Sequence, residues 1–219
     1  MDRRGRRVRP VRARRVLLLR HGQTAWNAGR RFQGQSDIPL DPTGVRQADA
    51  AAELLAGQEA DTVLASDLLR ARDTATPLAR RLGLPVTLDP RLRETDLGRW
   101  EGLTHEEVRT SFPQEWDDWI SGRLERRGGG ESRDEVGVRM RAALADASGD
   151  TVILVTHGAA ARTLAVSLLG LTGAFWRTLA PLENGHWADL SRHAGGWRLD
   201  RYNAGPWPTP DPPHPPPAD

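Results

Sequence analysis

Cysteine and lysine are both missing from the 219 residues. Without cysteine there is no disulfide scaffold, no thiol-based phosphatase or protease, and no Cys-ligated zinc or iron–sulfur centre. Without lysine, all 31 basic side chains are arginine, set against 29 acids for a net charge of +2. The sequence pI near 10.1 therefore records how little titrates between pH 7 and 10, and is no mark of a nucleic-acid binder. Eight of the arginines and one acid fall within the first fifteen residues, which leaves the remainder with five more acids than arginines. Long apolar runs are missing too: nothing approaches the roughly 18 to 20 residues of a helical membrane span. Val16-Leu17-Leu18-Leu19 is too short for a signal-peptide core. The expectation is a soluble, cytoplasmic protein.

What is present is 38% hydrophobic content in clusters, with eight tryptophans that can each bury a large area. One domain is expected at this length. Residues 1–15 form an Arg-rich arm without periodicity, and residues 205–219 hold eight of the sixteen prolines; both ends are expected to be disordered. The folded body then spans 16–204. Val16 to Leu19, Thr62 to Ala65 and Thr151 to Thr156 read as buried strands. Asp41-Pro42 predicts a helix N-cap followed by proline at the first helical position, with Val45, Ala48, Ala52 and Leu55 on one face. Ser66 is expected to cap a helix that stops at Gly83. Capping boxes at Thr104 and Ser132 predict two further helix starts, and Gly128-Gly129-Gly130 reads as a flexible loop. A last Ala/Leu-rich helix runs from Gly158 to Leu169. Strands alternating with helices predict an α/β domain with a largely parallel sheet covered on both faces, a three-layer α/β/α sandwich.

In such sheets the working residues gather at the carboxyl ends of the strands. The first strand runs into Arg20-His21-Gly22, the last into Thr156-His157-Gly158, and the helix after Ser66 carries Arg70 in its first turn. Guanidinium forks match phosphate oxygens and stay charged at any working pH. A neutral imidazole can attack phosphorus and split one displacement into two. Cysteine and lysine being absent and tyrosine single, the proton donor for the leaving group is an acid or the other histidine.

The stretch Leu18-Leu19-Arg20-His21-Gly22-Gln23-Thr24, with Asn27 and Gln33-Gly34 after it, resembles the signature of the histidine phosphatase superfamily, the phosphoglycerate-mutase-like proteins. Ser66-Asp67-Leu68-Leu69-Arg70-Ala71, Leu92-Arg93-Glu94, Gly98-Arg99-Trp100-Glu101-Gly102 and Thr156-His157-Gly158 continue it in the family's order. The resemblance implies that fold, with His21 as the nucleophile that becomes phosphorylated. It further implies that Arg20, Arg70 and His157 hold the phosphoryl oxygens, and that Asn27, Gln33 and Gly34 lie on the substrate side. Glu94 corresponds to the proton donor of the phosphatase branch, and neither metal nor organic cofactor is implied. The interval of 63 residues from Glu94 to His157 is short for the region inserted in glycolytic mutases, so hydrolysis is favoured over mutase-type phosphotransfer.

Arg91-Leu92-Arg93-Glu94-Thr95, Gly129-Gly130-Glu131-Ser132-Arg133 and Trp197-Arg198-Leu199-Asp200 resemble one group within that branch whose substrate is a small acidic sugar phosphate. A broad-specificity phosphatase, and a non-catalytic phosphate-binding scaffold, are the competing readings. The partner is a small phosphate ester, with no membrane, nucleic acid relevant only to the arm, and a homodimer left open. His105 reads as a helix-start residue, His186, His193 and His214 as surface groups, and Trp100, Trp116, Trp119, Trp176 and Trp187 as core or pocket wall.

Overall fold

The computed structural model describes residues 11–171, 176 and 178–206. The strands β1 (Arg15–Arg20), β2 (Thr62–Ala65), β3 (Val86–Leu88), β4 (Thr151–Thr156), β5 (Trp187–His193) and β6 (Gly196–Ala204) form one sheet in the order β3-β2-β4-β1-β5-β6. The first four of that order are parallel, while β5 and β6 run antiparallel at one edge. Side chains alternate between the faces of a strand, and each face meets its own helices. Val16 and Leu18 of β1, with Val152 and Leu154 of β4, pack on α6 (Arg133–Asp146) and α7 (Gly158–Leu168). Leu17, Leu19, Ile153 and Val155 pack on α2 (Pro42–Leu55) and α3 (Leu69–Leu82). The result is the three-layer α/β/α sandwich. Short helices α1 (Ala25–Ala28), α4 (His105–Ser111) and α5 (Pro113–Ile120) build one side above the sheet.

The expected caps at Asp41, Thr104 and Ser132 are in place, the last two as full capping boxes. Ser66 is not the cap of α3. That position is Leu68, which has no side-chain cap, and the Leu69 N–H is taken instead by the Asp37 carboxylate at 2.7 Å. A residue 32 positions away does the capping, which no local pattern can reveal.

Two other expectations are corrected. The folded body begins before Val16, because Val11 and Ala13 are buried, and Arg15 makes a forked pair with Asp189 at 2.9 and 2.6 Å. Residues 1–10 and 207–219 of the two terminal segments lie outside the described residues, and His214 with them. The triple glycine is also no flexible loop. Gly128 and Gly129 adopt φ of 58° and 81°, and a Cβ on Gly130 would sit 2.1 Å from the Asp96 carbonyl oxygen. The glycines let this turn seat backbone against backbone on the loop that follows Glu94. Among the described residues, no helix is long and apolar enough to cross a membrane.

Candidate active site

The parallel register of β1 and β4 sets Arg20 opposite Thr156, so the next residues, His21 and His157, leave the sheet side by side. Both are buried, with ring centroids 5.1 Å apart. The loop carrying His21 is held from several directions. The His21 N–H donates to the Thr156 carbonyl (3.0 Å), the Gly22 N–H to Thr74 Oγ1 (3.0 Å), and Asn184 Nδ2 to the His21 carbonyl (2.9 Å). A side chain at Gly22 would place Cβ 2.3 Å from the Gly44 carbonyl oxygen, so glycine is required for the first turn of α2 to approach this closely.

The two imidazoles are held in opposite tautomers. The Gly22 carbonyl oxygen lies 2.6 Å from His21 Nδ1; a carbonyl only accepts, so Nδ1 carries the hydrogen and Nε2 keeps its lone pair. Arg70 Nε donates to His157 Nδ1 at 3.2 Å; a guanidinium only donates, so the neutral His157 carries its hydrogen on Nε2. That Nε2 is buried with no hydrogen-bond partner among the described residues. Leaving such a donor without an acceptor costs about 1–3 kcal/mol. Burial, reinforced by the charges of Arg70 and Arg20, holds His21 well below its ordinary value near 6.5. Burial and Arg70, then His21, do the same for His157. Neutral rings are what the tautomers require.

Arg70 is fully buried. Its Nη1 and Nη2 donate to the Ser36 and Gly34 carbonyls at 2.7 and 2.8 Å. With Nε on His157, three of the five guanidinium hydrogens serve to position the group and its neighbour, and two remain for a ligand. Burial pushes Arg70 down to about 10, opposed by Glu94, Asp37 and Glu101, so it stays charged at neutral pH. Arg20 Nη1 is held by the Leu182 carbonyl, and its guanidinium passes over Gly158, where a Cβ would come within 3.3 Å of Nε.

Glu94 caps α7 from outside the helix. Its Oε2 accepts from the Ala159 N–H (3.1 Å) and its Oε1 from the Ala160 and Thr95 N–H groups (3.0 and 2.8 Å). The carboxyl group is thereby fixed one turn from His157, at the N-terminal end of α7. Its backbone is clamped in turn. Arg139 donates to the Arg91, Arg93 and Glu94 carbonyls at 2.7, 2.6 and 2.9 Å while paired to Glu131.

Arg20, His21, Asn27, Gln33, Gly34, Arg70 and Glu94 line one cavity of about 490 Å³, with His157 directly behind it against His21. All eight residues singled out from the sequence are therefore gathered. Asn27 Oδ1 is occupied by the Thr24 N–H and hydroxyl at 3.0 and 3.1 Å. Gly34 serves through its carbonyl on Arg70, and its φ of +51°, with Glu101 where a Cβ would stand, explains the glycine. Among the described residues no three His, Asp or Glu side chains could jointly hold a metal ion.

Sequence reasoning missed the supporting groups Arg139, Asn184, Thr74 and Asp37. It also undervalued His105, which packs on Phe32 (4.6 Å between centroids) and Trp119 (5.8 Å) and lines the cavity. His186 is a half-buried group near Glu183, and His193 an exposed one on Ser191. Trp100 and Trp187 are buried core, and Trp119 and Trp176 are cavity wall.

Residues 16–205 match the model of the histidine phosphatase superfamily (branch 1). The chain is 42% identical over 214 residues to the glucosyl-3-phosphoglycerate phosphatase of Mycobacterium tuberculosis, covering 89% of this chain and 96% of that protein. It is 41% identical over 165 residues to a probable phosphoglycerate mutase of Photorhabdus laumondii, covering 71% of this chain and 75% of that protein. The solved structure of mycobacterial glucosyl-3-phosphoglycerate phosphatase with VO3 superposes with a TM-score of 0.81 at 41% identity, over 88% of this chain and all of that one. By this match and these identities the chain belongs to branch 1 of the histidine phosphatase superfamily.

Proposed function

We propose that the protein hydrolyses phosphomonoesters through a phosphohistidine on His21, with glucosyl-3-phosphoglycerate as its substrate. The observation that carries the reading is the pair of opposite tautomers. A lone pair on His21 Nε2 and a partnerless donor on His157 Nε2 are the two things a phosphoryl group needs, a nucleophile and an oxygen ligand.

In the first step His21 Nε2 forms a bond to phosphorus as the ester P–O bond breaks, and Glu94 delivers a proton to the departing oxygen. In the second, water attacks phosphorus while Glu94 takes its proton, and the P–N bond electrons return to His21. Arg20, the two remaining donors of Arg70, and His157 neutralise the transferring oxygens throughout. Asn27, Gln33 and Gly34 shape the entrance, and no cofactor enters either step. The phosphatase relative matches over 96% of its length, against 75 to 90% for the probable mutases, which supports water as the acceptor.

The test is direct. Denatured enzyme quenched during turnover retains acid-labile, alkali-stable phosphate on His21, and His21→Ala retains none and loses turnover. A His21→Ala protein with near wild-type activity overturns the mechanism. Values of kcat/KM for glucosyl-3-phosphoglycerate, 3-phosphoglycerate and p-nitrophenyl phosphate decide the substrate, and a flat profile removes that assignment while keeping the hydrolase.

A further inference from the structure

The cavity is much larger than a phosphoryl group, and its outer half carries a cation whose guanidinium is not paired with any described residue. Arg127 opens the glycine turn Arg127–Gly129 and lines the cavity. Its guanidinium makes no hydrogen bond or ion pair with any described residue. Its neighbours differ in this respect. Arg126, one position earlier, is forked onto Glu135 at 2.7 and 2.6 Å, and Arg139 is paired to Glu131.

The turn is also rigid. The Gly130 N–H closes it on the Arg127 carbonyl (3.0 Å), and the Glu131 N–H binds the Asp96 carbonyl (3.0 Å). A Cβ at Gly98 or Gly128 would strike the opposing backbone at 2.3 or 2.1 Å. Desolvation presses Arg127 down to about 10, with Arg133 acting in the same direction and Glu94 opposing. Arg127 is half-buried, and keeping a partly desolvated guanidinium unpaired is costly. Its retention on a fixed turn facing the same cavity as His21 is the arrangement of a recognition group awaiting an anion.

We propose that Arg127 binds a carboxylate on the alcohol portion of the ester, so that the site selects phosphomonoesters of hydroxy acids over those of neutral alcohols. The assignment rests on the phosphatase reading and adds to it the residue that selects the leaving group. A carboxylate is planar and two-pronged and matches the fork of arginine, whereas lysine would supply the charge without the fork.

The experiment compares 3-phosphoglycerate with glycerol 3-phosphate, which differ only in that the carboxylate is replaced by a hydroxymethyl group. In the wild type, the ratio of kcat/KM values favours 3-phosphoglycerate. Arg127→Gln is expected to reduce that ratio by roughly 10- to 100-fold, the size of one charge-assisted hydrogen-bonded contact, and Arg127→Lys by less. A ratio unchanged in Arg127→Gln overturns the proposal, as does a wild-type ratio of one. Calorimetric binding of the same two esters to His21→Ala, with and without Arg127→Gln, reads the preference without turnover. A wild type that hydrolyses neither ester but cleaves glucosyl-3-phosphoglycerate keeps the phosphatase reading, one that cleaves none of the three sinks it, and in both cases the binding ratio still decides Arg127.

Discussion

The inner and outer halves of the cavity are built on opposite plans. In the inner half nearly every polar group is already engaged by the protein. Arg70 spends three donors on Gly34, Ser36 and His157, Glu94 takes three backbone N–H groups, and His21 Nδ1 is tied to the Gly22 carbonyl. What these groups keep for a ligand is directed, and includes one lone pair on His21, one imidazole N–H on His157 and two guanidinium hydrogens on Arg70. In the outer half the aromatic rings of Phe32, His105 and Trp119 form a wall, and the Arg127 guanidinium faces the space without a partner among the described residues. A preorganised inner shell is what transition-state stabilisation demands, since donors fixed in advance need no reorganisation during reaction. An unspent outer shell is what selection among esters demands, because its groups gain a partner only from the right one.

The sharpest break in that contrast comes from Arg70. Because it touches the phosphoryl side and also sets the tautomer of His157, Arg70→Met removes a cation and frees the neighbouring ring at once. Loss of a single transition-state arginine costs about 10³- to 10⁵-fold in kcat in phosphoryl transfer. Arg70→Met is expected to lie in that range on every ester, with or without a carboxylate. Steady-state kinetics on p-nitrophenyl phosphate and 3-phosphoglycerate check this, and a loss confined to one of them would mean that Arg70 belongs functionally to the outer half.

Glu94 lies on the boundary, and its substitution is expected to be intermediate. General acid–base contributions run at about 10²- to 10⁴-fold, and they matter only where the leaving oxygen needs a proton. Glu94→Gln keeps the size and the acceptor oxygen that receives an α7 N–H, but it has no proton to give. The loss in kcat is expected to be large for alkyl phosphates and small for p-nitrophenyl phosphate. Equal losses on both remove the proton-transfer role and leave Glu94 as a cap of α7.

How far this division could be read from the sequence follows from what each half depends on. The inner half is written in local signals. Contiguous apolar strands such as Val152 to Val155 end in His-Gly, and once the parallel order is assumed, His21 and His157 fall together. The family resemblance then adds Glu94. The outer half depends on which arginine lacks a partner, and that is a tertiary fact. Arg126 and Arg127 are adjacent and identical in kind, yet only Arg126 meets Glu135. The sheet shows the same split. β1, β2 and β4 are buried and legible, whereas β6 alternates exposed and half-buried residues at an edge and carries no apolar run. The cap of α3 by Asp37 and the rigid glycine turn were hidden for the same reason, since both are contacts between distant segments.

The smallest expected effect concerns protons. In an unfolded chain, His21 and His157 would each take up a proton as the pH falls through about 6.5. In the folded protein, burial and then Arg70 hold both rings well below that. The unfolded state therefore binds more protons just below pH 6.5. The stability these neutral rings permit is fully present above that pH and is lost as the pH falls toward their folded values. Histidine ring resonances followed by NMR should show both groups neutral, with Nδ1–H on His21 and Nε2–H on His157, and no titration step near 6.5. Arg70→Met should move both titrations upward, because one of the opposing charges is gone, while Arg127→Gln should move neither, since Arg127 contributes to neither ring. A shift of His21 or His157 on removing Arg127 would mean that the two halves of the cavity are electrostatically one, and the separation between chemistry and selection would then have to be given up.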